Sequence, residues 1–125
     1  MLVKKIKILN YKISIITLKL FKDKLIQFLK FKKKSYICVS AVHGAVESFY
    51  NNKYKISHDK ADIAVPDGRP IYWALKLLGH TDVDHLPGYF ITNEICKLAN
   101  KKKYNIGIYG STEDVQQNFI KNIKK

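Results

Sequence analysis

The sequence predicts an α/β fold, a parallel sheet flanked by helices. Three observations carry that prediction. Short apolar runs at Tyr36–Val39, Ile63–Val65 and Asn105–Tyr109 are bounded by turn or polar residues, as buried strands are. Segments with apolar residues at helical spacing lie between them. Strands and helices therefore alternate, which sets the strands parallel with helices on the sheet faces. The 125 residues read as one α/β domain, residues 1–125. A hydrophobic content of 46% argues against disorder.

The elements follow in order. Val3–Ile8 alternates loosely and predicts a short strand. Thr17–Phe31 predicts a helix, because Leu18, Phe21, Leu25, Phe28 and Leu29 recur at helical spacing with Lys on the other face. Lys32–Lys34 ends it. After the Tyr36–Val39 strand, His43–Tyr50 and the region Lys55–Lys60 read as helical. Pro66-Asp67-Gly68 breaks the Ile63–Val65 strand sharply. Pro70–Leu78 predicts a helix with Pro at its start and Gly79 after its end. His80–Gly88 is a loop. Ile91–Ala99 predicts a helix with Ile91, Ile95 and Leu98 on one face. Gly110-Ser111 turns into a last helix, with Ser111 and Asp114 spaced as a capping box and Val115, Phe119 and Ile123 as its inner face. The next element of such a fold is a strand, and the chain ends first, so the expected sheet is incomplete at the C-terminus.

Charge is uneven. The chain carries +13, of which residues 1–34 hold +10, residues 35–100 −1 and residues 101–125 +4. Such ends attract anionic lipid or nucleic acid. Of 23 basic residues, 22 are Lys and one is Arg69. A phosphate-reading protein uses more Arg, for bidentate contacts, so nucleic acid is not the expected partner. The Lys-rich, apolar N-terminal helix suits peripheral contact with a membrane surface. The Ile13–Leu18 run is far too short to span one, and Lys12 interrupts any signal-peptide core. Cys38 and Cys96 are too widely spaced for a CxxC motif, and reduced thiols are expected.

Ligands of open α/β sheets bind beyond the carboxyl ends of the strands. Three loops leave those ends here: Ser40–Gly44, Pro66–Pro70 and Gly110–Thr112. Asp67 follows an apolar strand directly. It reads as a general base or an anchor for a sugar hydroxyl, and equally as an ordinary turn Asp. Gly68 and Arg69 lie in the same loop. His43 reads as an acid, a base or a phosphate donor, or as a helix-start His bonded to backbone. Gly110, Ser111 and Thr112 could cradle a phosphate on backbone amides, or simply cap a helix. Asp82-Val83-Asp84, beside His80 and His85, has the shape of a metal site, but a solvated acidic loop is the stronger reading. Tyr72 and Trp73 read as packing residues.

The segments SAVHGAVESFYNN, KADIAVPDGRPIYWALKLLG, LPGYF and YNIGIYGSTEDVQQNFIKNI, in that order, resemble the WecG/TagA/CpsF glycosyltransferase family. The PDG-x-P-x-x-W-A-L-x-L-L-G block is the most specific part. The resemblance implies a Rossmann-like sheet and an inverting transfer, without a metal or other cofactor. An N-acetylmannosamine-like sugar moves from a UDP-sugar to an undecaprenyl-diphosphate-linked acceptor, for teichoic acid or other surface polysaccharide. The setting is the inner face of the cell membrane. Asp67 matches the family's catalytic base, and Ser40 and His43 stand in the stretch that helps form its pocket. Phe90 stands where many members carry an acid. The family also continues beyond the position of Lys125, so a truncated, non-catalytic nucleotide-sugar-binding fragment is the alternative. An incomplete sheet with an exposed edge strand also favours self-association into a homo-oligomer.

Overall fold

The computed structural model describes residues 2–123. The chain divides into two compact units, Met1–Pro87 and Gly88–Lys125. The first unit opens with a hairpin of β1 (Lys5–Ile8) and β2 (Tyr11–Ser14), paired antiparallel with Ile8 opposite Tyr11. Its loop is Leu9-Asn10, and Leu9 holds a positive φ of 54°. Helix α1 (Leu18–Lys30) follows, capped by the Thr17 side chain, which accepts from the Leu20 N–H.

Strand β3 (Ile37–Ser40) pairs in parallel with β4 (Ile63–Pro66), and Ser40 stands opposite Pro66. Between them lie α2 (Val42–Tyr50) and α3 (Asn52–Lys60). All four β4 residues are buried, as its continuous apolar run requires. Strand β2 lies beside β4, where the Ser14 hydroxyl accepts from the Ala64 N–H at 2.9 Å. Helix α4 (Arg69–Leu77) follows β4 and buries Ile71 and Leu75 in a cluster with Ile8, Tyr11 and Ile13 of the hairpin. It ends where Gly79 takes a φ of +86°, a left-handed conformation that favours glycine. The core joins Ile8, Tyr11, Ile13, Ala45, Ile71, Leu75 and Val83.

The second unit holds α5 (Gly88–Lys102) and α6 (Glu113–Ile123). An open cavity of about 770 Å³ lies between them, lined by Cys96, Ala99, Ile106, Phe119 and Ile123 among others.

The α/β class and the parallel β3–β4 pair agree with the sequence reading. Four expectations need correction. Asn105–Tyr109 forms no strand: a strand requires a hydrogen-bonded neighbour, and none of the described strands pairs with it. Its Ile106, Ile108 and Tyr109 are exposed. Ser111 does not cap α6. It sits at a φ of +67°, one residue outside the cap position, and the Thr112 carbonyl receives the Gln116 N–H. Val115 is exposed, so only Phe119 and Ile123 of that face meet the cavity. Trp73 is also exposed, because Ile71 and Leu75 take the inner stripe of α4.

Candidate active site

The parallel pairing of β3 and β4 brings two chain turns to one edge. At the first, Ser40 leads through Ala41 into α2. At the second, Pro66 leads through Asp67 and Gly68 into α4. Each helix starts from a residue without a side-chain cap, Ala41 and Gly68. Their first amides give that edge a partial positive charge, which suits an anion.

The backbone of Pro66–Gly68 is fixed on both sides. The Ser40 carbonyl accepts from the N–H groups of Asp67 at 3.0 Å and Gly68 at 3.3 Å. The Pro66 carbonyl accepts from the Leu86 N–H at 3.0 Å, and His85 Nε2 donates to the Asp67 carbonyl. Gly68 lies against Ala41, where an added Cβ would stand in ordinary contact at 3.4 Å. Asp67 is half-buried at this edge. Its backbone is thus held to β3 on one side and to the 80–87 loop on the other.

The candidate residues take different places. Asp67 and Gly68 are half-buried, while His43 and Arg69 are exposed in the first turns of α2 and α4. Ser40 is fully buried, and its Oγ lies 2.8 Å from His58 Nε2. Gly110, Ser111 and Thr112 belong to the second unit, in an exposed turn where Gly110 and Ser111 both hold positive φ. Asp84 has a structural partner: its carboxylate accepts from the Leu18 N–H at the start of α1. Among the described residues no three His, Cys, Asp or Glu side chains gather as metal ligands would.

The model of the Glycosyl transferase WecG/TagA/CpsF family matches residues 6–125. The chain belongs to that family. It is also 24% identical over 98 residues to an N-acetylglucosaminyldiphosphoundecaprenol N-acetyl-beta-D-mannosaminyltransferase of Bacillus spizizenii. That match covers 78% of this chain and 38% of the relative, so the chain spans well under half of the relative's length. No solved structure matches the chain. Within the family domain, the Asp67 turn is held by residues that the sequence reading did not assign to it. His58 and Tyr11 reach the Ser40–Ala41 turn, and His85 reaches Asp67. No local motif marks them. They lie 18, 30 and 18 residues from their partners, and only the folded chain joins them.

Proposed function

We propose that the chain acts in an inverting glycosyl transfer from a UDP-sugar to a polyprenyl-diphosphate-linked acceptor, with Asp67 as base. The observation that carries this reading is the fixed, half-buried Asp67 at the carboxyl edge of the parallel pair, beside two helix N-termini. In such a step the acceptor hydroxyl oxygen attacks the anomeric carbon. Asp67 takes the hydroxyl proton, and the bond from the anomeric carbon to the diphosphate oxygen breaks, its electron pair leaving with UDP. Backbone amides at the starts of α2 and α4 offset the charge growing on the diphosphate. His43 and Arg69, both exposed in those first turns, supply further donors. Ser40 serves through its carbonyl. The activity for which the Bacillus relative is named favours an N-acetylmannosamine-like donor and an undecaprenyl-diphosphate acceptor.

The acceptor's lipid places the work at a membrane surface, on the cytoplasmic side where nucleotide sugars reside. Among the described residues no helix is long and apolar enough to cross a membrane. Contact through the basic end of α1 suits peripheral attachment.

The test joins a thermal melt with UDP to a transfer assay. A melting point raised by UDP, with turnover lowered about 100-fold or more in Asp67→Asn and UDP binding kept, is the expected result. A rise with UDP but no turnover in any variant favours the nucleotide-sugar-binding alternative. A melt indifferent to millimolar UDP overturns both.

A further inference from the structure

Two buried rings from outside the crevice converge on the backbone that carries Asp67. His58, on α3, places Nε2 2.8 Å from Ser40 Oγ. Tyr11, on β2, donates its hydroxyl to the Ala41 carbonyl at 2.6 Å. The rings lie against each other, with centroids 4.4 Å apart. Ser40 and Ala41 are consecutive, and the Ser40 carbonyl receives both the Asp67 and Gly68 amides. The contacts therefore run from β2 and α3, through two residues of one turn, to the carboxylate-bearing turn opposite.

Packing alone gives no reason for this arrangement. His58 is 2% exposed, and its Nδ1 is buried with no hydrogen-bond partner among the described residues. An apolar ring would fill the same space without an unsatisfied nitrogen. What an apolar ring cannot do is hold Ser40 in register. Polar contacts made at the cost of an orphaned atom fit a group retained to fix geometry.

We propose that His58 and Tyr11 are positioning residues that clamp the Ser40–Ala41 turn and so fix Asp67. The functional half of this proposal rests on the reading of Asp67 as base. Neither residue touches the reacting atoms. A positional error of about 1 Å at a catalytic group is enough to lower turnover about 100-fold.

The experiment is residue-resolved amide hydrogen exchange by NMR on the full chain. His58→Phe keeps the ring and removes the bond to Ser40, whereas His58→Gln retains a polar group in reach of it. His58→Phe is expected to speed exchange at Asp67 and Gly68 at least tenfold while α1 amides stay within twofold. His58→Gln is expected to restore most of the protection. Tyr11→Phe, which loses only a hydroxyl, provides the second variant and a smaller effect at the same two amides. In the transfer assay His58→Phe should lower kcat about tenfold or more with the donor KM within twofold.

Unchanged exchange at Asp67 and Gly68 overturns the proposal, as does an even rise across the unit, which marks a purely structural role. Exchange reports the clamp whether or not turnover occurs. If Asp67→Asn retains activity while His58→Phe still loosens Asp67 and Gly68, the base assignment fails and the clamp stands.

Discussion

Burial pushes the His58 imidazole below its ordinary value of 6.5. The nearby Asp59 carboxylate opposes the shift and the Lys5 ammonium reinforces it. Tyr11 and Tyr54 are the other titratable rings against it. The sign of the consequence is fixed. Between the lowered folded value and 6.5, the unfolded chain binds a proton at His58 that the folded chain refuses. Stability from this residue is therefore present above about pH 6.5 and falls as pH drops through it, by at most about 1.4 kcal/mol per pH unit. Asp59 and Asp62 act in a different window. Burial raises both carboxyls, but hydrogen bonds and charges from Lys55 and Lys12 at Asp59, and from Lys33 and the Tyr36 N–H at Asp62, bring them below 3.8. Their contribution is lost only under more acid conditions. Thermal melts between pH 7.5 and 5 should show a declining midpoint in the native chain and a flatter decline in His58→Gln. Equal slopes in the two proteins would remove His58 as the source.

The elements show where local sequence signals suffice and where they do not. The β1–β2 hairpin turns on Leu9-Asn10, with Leu9 in the left-handed region that disfavours a branched side chain. Leu9 is 61% exposed, so its side chain gives up little burial when removed. Leu9→Gly should stabilise the first unit by about 1 kcal/mol, read as a rise in denaturation midpoint. A fall would show that Leu9 contributes packing which its exposure conceals. The same turn explains why β2 was not legible. A hairpin is recognised by Asn-Gly or a similar pair, and this one lacks a Gly. Asn105–Tyr109 is the reverse case. Its short apolar run satisfies the strand pattern, but a strand also needs a hydrogen-bonded neighbour. The Asp67 turn was legible because Pro-Asp-Gly after an apolar run is a local signal. Its supports were not, because Ser40 meets His58 and Asp67 meets His85 only through tertiary contact.

At the scale of the whole molecule, the decisive property is the distribution of charge. Residues 1–34 carry +10 of the total +13, and the end of α1 concentrates it beside apolar surface. Ile26, Leu29 and Phe31 are exposed there, with Phe31 at 72%. Lys33 is paired with Asp62, so Lys30, Lys32 and Lys34 are the cations to test. Exposed rings and aliphatic groups among lysines suit a lipid interface, where stems bury and ammonium groups stay at the headgroups. Duplex nucleic acid would favour the charge but give no place to the aliphatic Ile26 and Leu29. Each lysine near an anionic surface contributes about 1 kcal/mol, so replacing Lys30, Lys32 and Lys34 by Gln should weaken binding on the order of 100-fold. The measurement is co-sedimentation with vesicles containing about one-third phosphatidylglycerol, at several salt concentrations. Charge screening predicts weaker binding as salt rises, because the Debye length falls to roughly 3 Å at 1 M. Phe31→Ser should weaken what remains at high salt, where the apolar contribution dominates. Binding that ignores both the lysines and Phe31 would move the membrane contact away from α1.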